Sequence, residues 1–239
     1  MSVINKYLFQ VLILIFTLGW WFGYSFFDYW PYYSIILAAF ITYISICSFS
    51  LTRQIFIASL YKKTNTDGLI SLTFDDGPCP NTLKVLEILK RENQKATFFC
   101  IGHKIEEHPE IFEKIIAHGH EVGNHSYSHH NLSPLFPLDN IHQEISKTNE
   151  LIEGKTGKIN GLYRPPFGVM TPKIAEVVRQ LKLNVIGWSI RSLDTVRTPD
   201  QTINHINGRL KSGDVVLLHD DREDFPYIVE EVIRFMKKN

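Results

Sequence analysis

Two adjacent carboxylates, Asp75 and Asp76, end the apolar segment 69–74 and are followed at once by a Gly-Pro turn. A short apolar run bounded by turn residues is typical of a buried strand. Neighbouring carboxylates repel each other when both are ionised, and a bound cation relieves that repulsion. The pair therefore predicts a metal ligand beside a free general base. The plain alternative is a strand that ends in an Asp-Asp-Gly turn.

A histidine pair offers further ligands for such a metal. His125 and His129 are four residues apart, which places both imidazoles on one face if this stretch is a helical turn. The alternative is a solvated histidine-rich loop over residues 118–130. Combined with a carboxylate from another strand end, the pair forms a two-histidine, one-carboxylate set with open positions, which suits a divalent ion such as zinc. The spacing favours His129 over its neighbour His130.

Arg164 and His219 are two further candidate site residues. The Pro-Pro pair after Arg164 fixes the backbone, so its planar guanidinium could hold a carboxylate in one orientation. A solvated arginine in a proline-rich loop is the alternative. His219 ends an apolar strand and is a candidate proton donor, with Asp194 or Asp220 able to raise its pKa.

The elements that must position these side chains alternate along the chain. Strands are predicted at 69–74, 96–101, 121–124, 184–189 and 214–218. Helices are predicted at 81–92, 109–119, 138–153 and 226–238, and after the Thr-Pro pairs at 171–172 and 198–199. Such alternation predicts a parallel sheet that is covered on both faces or closed into a barrel. Chemistry in these folds lies at the carboxyl ends of strands, where the charged motifs fall.

The first 65 residues are predominantly apolar. Segments 8–27 and 29–51 contain no charged residue and are separated by Asp28, and each is long enough to cross a hydrocarbon core, which takes roughly 20 residues. Asp28 and Pro31 are predicted to form a tight turn between two transmembrane helices. Residues 1–65 are therefore predicted as a membrane anchor with a basic linker, and residues 66–239 as the catalytic domain. A cleaved signal peptide is the alternative for the first segment.

Charge and cysteine content narrow the functional classes. The formal net charge is zero, so nucleic-acid binding has no electrostatic support. Lys6 and the basic linker after Arg53 favour a multi-pass membrane protein with its domain on the cytoplasmic side, whereas a cell-wall substrate would require the domain outside. Only Cys79 and Cys100 could pair in the soluble part, and free buried thiols are favoured there.

The ordered motifs resemble those of the polysaccharide deacetylase family, also called NodB-homology domains or carbohydrate esterase family 4. The matching segments are 73–78, 125–129, 164–167, 188–194 and 217–220. The resemblance implies an α/β fold, a distorted (β/α) barrel with fewer than eight strands, here preceded by the two transmembrane helices. It also implies a metal-dependent hydrolase that removes acetyl groups from N-acetylated sugars.

The resemblance implies a role for each motif residue. The residues implied to bind the metal, predicted to be zinc, are Asp76, His125 and His129. Those implied to serve proton transfer are the base Asp75, its tether Arg164, the acid His219, and Asp194 as a partner of Arg164 or His219. Those implied to contact the substrate are Leu217 at the acetyl methyl group, Phe167 through its backbone N–H at the oxyanion, and Trp188.

One motif departs from the family pattern. Arg191 and Thr195 stand where an aspartate and a tryptophan are common. The motif therefore does not define the shape of the sugar-binding wall. The predicted substrate is an N-acetylated sugar, polysaccharide or lipid-linked glycan, with membrane lipid as a further partner. The alternatives are an O-acetyl esterase and a non-catalytic, membrane-anchored carbohydrate-binding protein.

Overall fold

A computed structural model describes residues 17, 26–64, 69–220, 222 and 224–238. Helix α1 (Phe26–Ser48) is followed by a 3-10 turn at Leu51–Arg53. The later helices are α2 (Pro80–Arg91), α3 (Gly102–Glu107), α4 (Pro109–Ala117), α5 (Leu138–Thr156), α6 (Pro172–Gln180), α7 (Pro199–Asn207) and α8 (Phe225–Met236). The strands are β1 (Ser59–Leu60), β2 (Ser71–Asp75), β3 (Ala96–Cys100), β4 (Glu121–Asn124), β5 (Leu162–Tyr163), β6 (Asn184–Ile186), β7 (Ile190–Arg191) and β8 (Val215–His219).

One parallel sheet holds the eight strands of the described residues, in the order β1-β6-β5-β4-β3-β2-β8-β7. The strand count corrects the expectation of fewer than eight, although three of the strands are only two residues long. Just after β1, Lys62 bridges to Asp214 beside β8, with 3.0 Å between Nζ and Oδ1. This contact links β1, at one end of the sheet, to β8, the strand next to the other end, so the sheet curls into a distorted (β/α) barrel.

Strand register gathers the polar side chains on the inner face of the curl. Asp75 at the end of β2 pairs with His219 of β8, and Thr73 pairs with Leu217. The alternate residues of these strands, such as Phe74 and Leu218, belong to the buried core that packs against the helices. Because side chains alternate along a strand, Asp75 and His219 face the interior at the carboxyl ends of adjacent strands.

The Thr-Pro pairs begin helices as predicted. Thr171 caps α6 by accepting a hydrogen bond from the Ile174 amide at 3.3 Å. Thr198 caps α7 in the same way and forms a reciprocal capping box with Gln201.

Helix α1 is joined firmly to the barrel at its carboxyl end. Cys47 and Leu51 are buried in a cluster with Tyr163 and Met170, and the Ser48 carbonyl accepts a hydrogen bond from the Met170 amide at 2.8 Å. Most of residues 30–46 are exposed, and residues 30–48 are long and apolar enough to cross a membrane. They form one candidate span within the described part of the chain.

The structure tests only part of what the sequence predicts for the amino-terminal region. The predicted turn at Asp28 and Pro31 is wrong, because both residues lie inside α1. Proline lacks a backbone N–H, so α1 runs through Pro31 with one helical hydrogen bond fewer. The predicted first span, 8–27, lies almost wholly outside the described residues. The domain boundary at residue 66 stays a prediction, and β1 of the sheet precedes it.

Candidate metal centre

Three ligand atoms converge at the mouth of the barrel. One atom from each of Asp76, His125 and His129 lies within 4.8 Å of the other two. Asp76 Oδ1 is 3.5 Å from His125 Nε2 and 3.2 Å from His129 Nε2. Asp76 follows β2 and His125 follows β4, so the site is assembled from separate strand ends. The sequence predicted these three residues as the metal ligands, and the structure brings them together.

The donor set fits a divalent cation. Asp76 Oδ1 is buried and has no hydrogen-bond partner among the described residues, although two imidazoles surround it. The Nδ1 atom of His125 donates a hydrogen bond to the Arg164 carbonyl at 2.7 Å. Its Nε2 atom faces Asp76 and keeps a lone pair that can bind a metal. A backbone acceptor that fixes the outer nitrogen in this way is typical of metal-binding histidines.

The electrostatics of the site also favour a positive charge. Burial opposes ionisation of Asp76, but the imidazoles of His125 and His129 hold its pKa below the usual range. Burial would lower the pKa of His125, yet Asp75 and then Asp76 raise it. Burial and the neighbouring His125 lower the pKa of His129 to about 4, so its imidazole is neutral at pH 7. An ionised carboxylate and a neutral imidazole are the forms that bind metals.

Left-handed backbone marks several residues of this centre. Asp76, Ser126, His129 and Phe167 have φ values of 71°, 67°, 50° and 58°. The stretch from His125 to His129 is therefore not the helical turn that would have aligned its two imidazoles. Backbone in this region costs on the order of 1–3 kcal/mol per residue and persists only where surrounding contacts hold it. The two imidazoles meet because the loop is held in this conformation.

Glu144 of α5 supplies those contacts, and the sequence analysis missed it. Its Oε2 atom accepts hydrogen bonds from Ser126 Oγ at 2.8 Å, Tyr127 N at 3.1 Å, Ser128 N at 2.8 Å and Ser128 Oγ at 3.0 Å. One carboxylate oxygen thus binds the whole segment between the two histidines. No short motif connects Glu144 to His129, so only the docking of α5 reveals the contact.

Replacing Glu144 with glutamine is expected to weaken Zn²⁺ binding about tenfold, because a neutral amide cannot accept all four hydrogen bonds and the loop loosens. Titration calorimetry of the apoprotein with Zn²⁺ measures the effect. Glu150→Gln is the matched control, since Glu150 is exposed on the same helix. Equal Zn²⁺ affinity in the two variants would show that Glu144 does not position the ligands.

Arg164 is fully buried and holds Asp75. Its Nη1 donates to Asp75 Oδ1 at 2.7 Å and to Thr73 Oγ1 at 2.8 Å, while Nε and Nη2 donate to the carbonyls of Ile186 and Gly187. The guanidinium also stacks 4.2 Å from the centre of the Phe99 ring. Four of its five N–H donors are used, so Asp75 is fixed in one orientation, 3.7 Å from His125 Nε2.

His219 pairs with Asp194, which resolves the alternative left open by the sequence. The distance from His219 Nδ1 to Asp194 Oδ1 is 2.8 Å, and the His219 amide donates to Asp194 Oδ2 at 2.8 Å. Burial lowers the pKa of His219, but the hydrogen bond and charge of Asp194 outweigh it and raise the pKa to about 9. Asp220, the other candidate partner, instead accepts a hydrogen bond from Thr82 Oγ1 at 2.5 Å.

The three residues predicted to contact substrate lie on segments that carry or adjoin site residues. The ring of Phe167 lies 4.6 Å from that of His129, centre to centre, and is half exposed. Trp188 packs directly over Gly168, where a β-carbon would come within 2.3 Å of its ring. Leu217 is buried on β8, two residues before His219. Their predicted roles toward substrate stay predictions.

The cysteines near the site are free thiols. Cys79 donates to the Asp220 carbonyl at 3.2 Å, and Cys100 is buried at the end of β3. Neither contacts the ligand atoms, so the centre depends on carboxylates and imidazoles alone.

Comparison with known proteins shows where this architecture recurs. The sequence model of the family described as polysaccharide deacetylase matches residues 62–186. A peptidoglycan-N-acetylglucosamine deacetylase from Bacillus cereus is 36% identical over 152 residues, which are 63% of this chain and 55% of that protein. The peptidoglycan-N-acetylmuramic acid deacetylase PdaC from Bacillus subtilis is 32% identical over 183 residues, covering 74% of this chain and 38% of the relative. The chain thus spans about half, or less, of these two relatives.

A solved structure adds a contrasting neighbour. A carbohydrate esterase family 4 pseudoenzyme from Bacillus anthracis superposes with a TM-score of 0.69 at 27% identity, over 76% of this chain and 64% of that one. The fold is therefore compatible with both active and inactive sites, and the side chains at the barrel mouth must decide between them.

Proposed function

Since this chain belongs to the polysaccharide deacetylase family, we propose that it is a metal-dependent hydrolase that removes N-acetyl groups from an N-acetylated glycan. One observation carries the proposal. The acid and base candidates, His219 and Asp75, end adjacent strands in register, beside a three-ligand centre with an unpaired carboxylate oxygen. The names of the relatives point to N-acetylglucosamine or N-acetylmuramic acid as the sugar.

The metal centre would be formed by Asp76, His125 and His129. A divalent cation there, for which we propose zinc, supplies two effects: it lowers the pKa of a water molecule and polarises the acyl carbonyl. Three protein ligands leave positions open for water and substrate, as in other catalytic zinc sites.

The proton transfers belong to Asp75 and His219. Asp75, oriented by Arg164, accepts the proton of the attacking water. His219, kept protonated by Asp194, donates a proton to the amine as the C–N bond breaks, because an unprotonated amine leaves poorly. Each such step contributes about 10²- to 10⁴-fold to the rate. The backbone N–H of Phe167 adds a hydrogen bond to the oxyanion.

We expect the purified chain to release acetate from N-acetylglucosamine oligomers in the presence of Zn²⁺, and to lose this activity when a chelator removes the metal. Acetate is measured with a coupled enzymatic assay. O-acetylated oligomers of the same length test the esterase alternative, since the two substrates differ only in the leaving group. Acetate release from the O-acetylated oligomer, with none from the N-acetylated one, would replace deacetylation of the amide by esterase activity.

The pseudoenzyme neighbour keeps a non-catalytic function as a second candidate. All the acid, base and ligand candidates are present in this chain, which favours activity. Zn²⁺ bound to the centre without acetate release from either substrate would favour carbohydrate binding instead.

We also propose that α1 anchors the domain in a membrane. Its last turn is part of the buried core through Cys47. A signal sequence that is removed by cleavage would not belong to the core of the mature domain. If residues 8–27 form a second span, the basic residues on both sides place the domain in the cytoplasm, whereas a single span places it outside.

A further inference from the structure

An apolar groove of about 560 Å³ lies between the end of α1 and the loops around the metal centre. It is lined by Ile44 and Phe49 at the α1 end, and by Leu135, Phe167 and Val169 on the barrel. Phe49 and Leu135 expose 72% and 74% of their surface. No described residue that lines the groove is charged. An exposed, uncharged groove of this size is suited to an apolar ligand.

The groove is continuous with the metal centre through one side chain. Phe167 lines the groove, and its ring also contacts the ring of His129. A ligand in the groove would therefore end beside the reactive centre. The two ends of such a ligand must differ in polarity, because one end faces aliphatic and aromatic side chains and the other faces Asp76 and the imidazoles.

The other end of the groove lies at the candidate membrane span. Ile44 belongs to the candidate membrane span 30–48, and the carboxyl end of that helix is fixed to the barrel through Ser48 and Met170. Met170 is only three residues from Phe167. The helix, the groove and the loop that carries Phe167 are thus parts of one packed unit. A membrane-spanning α1 would therefore hold the reactive centre beside the lipid surface.

We propose that this groove binds the hydrocarbon chain of a lipid-linked, N-acetylated sugar whose acetyl group lies at the metal centre. The inference rests on the proposed function and specifies its substrate class. A lipid chain matches the uncharged lining and can pass directly from the bilayer along α1 into the groove. The sugar then reaches Asp75 and His219 while the lipid stays in contact with the membrane.

The test compares two substrates with the full chain in nanodiscs. One is N-acetylglucosamine linked through diphosphate to a polyprenyl chain, and the other is an N-acetylglucosamine oligomer without lipid. Leu135→Gln and Phe49→Gln should each raise KM for the lipid-linked substrate about tenfold, because each removes apolar contact with the chain. Both variants should leave the parameters for the soluble oligomer unchanged. Ile159→Gln, at an exposed apolar residue outside the groove, should change neither.

A binding measurement separates this inference from the proposed function. The polyprenyl-linked sugar is titrated into the full-length Asp75→Asn chain, with and without Leu135→Gln, so that turnover is not required. A tenfold weaker affinity with Leu135→Gln supports the groove even if neither substrate releases acetate. Equal affinities, or groove variants that affect both substrates alike, would overturn it and leave residues 1–25 or a second copy of the chain as the occupant.

Discussion

Replacing Asp75 with asparagine is expected to reduce acetate release by about 10³-fold while Zn²⁺ affinity stays within a few-fold of the original. Asparagine keeps the shape of the side chain and can still accept a hydrogen bond from Arg164, but it cannot accept a proton from water. Asp75 belongs to the Arg164 pair and lies 3.7 Å from His125, outside the set of three converging ligand atoms. Single-turnover acetate release and titration calorimetry measure the two quantities.

Asp76→Asn is the matched variant at the neighbouring residue. Its Oδ1 atom lies at the convergence of the two imidazoles, so we expect Zn²⁺ affinity to fall by at least about 10²-fold, and activity with it. The two variants thus separate metal binding from proton transfer. Near-normal turnover in Asp75→Asn would remove Asp75 from the role of base, and full Zn²⁺ occupancy in Asp76→Asn would remove Asp76 from the ligands.

Stability is the necessary control for Asp75→Asn. Arg164 is fully buried, and Asp75 is its anionic partner in the structure. Removing one member of a buried ion pair costs about 3–5 kcal/mol, so this variant should unfold at a lower denaturant concentration. Activity is therefore compared at a temperature where circular dichroism shows both proteins folded.

The positions of the site residues could be predicted from strand ends alone. Asp75 and His219 each follow an apolar segment, His125 follows the predicted strand 121–124, and parallel strands bring their carboxyl ends to one edge. This inference needs only the period of the apolar residues and the direction of the strands. It does not depend on side-chain conformation.

The pairing of these residues could not be predicted in the same way. Asp194 lies in a turn after β7, and its partner depends on which strand neighbours β7. The structure places β8 there, so His219 rather than Arg164 receives the carboxylate. The contacts of Glu144 could not be predicted for a related reason. Tertiary packing of α5 alone brings this side chain against the loop between His125 and His129.

Replacing His219 with alanine is expected to lower kcat/KM by about 10²- to 10⁴-fold and to remove the high-pH limb of the rate profile. The pKa of His219 is raised to about 9, so the imidazole is protonated below that pH and can donate to the leaving amine. As pH rises through this pKa the donor is lost, and the rate of the unaltered enzyme should fall. A cation bound to Asp76 would diminish one of the carboxylate charges that raise this pKa, so the limb is expected at or below about pH 9.

Asp194→Asn tests the same assignment without removing the donor. Its amide cannot supply the negative charge that favours the imidazolium, so the pKa of His219 should fall and the high-pH limb should move to lower pH. Activity at pH 6 should then be affected less than activity at pH 8, which a general loss of structure would not produce. A limb that stays at the same pH in both variants would assign it to another group and exclude His219 as the acid.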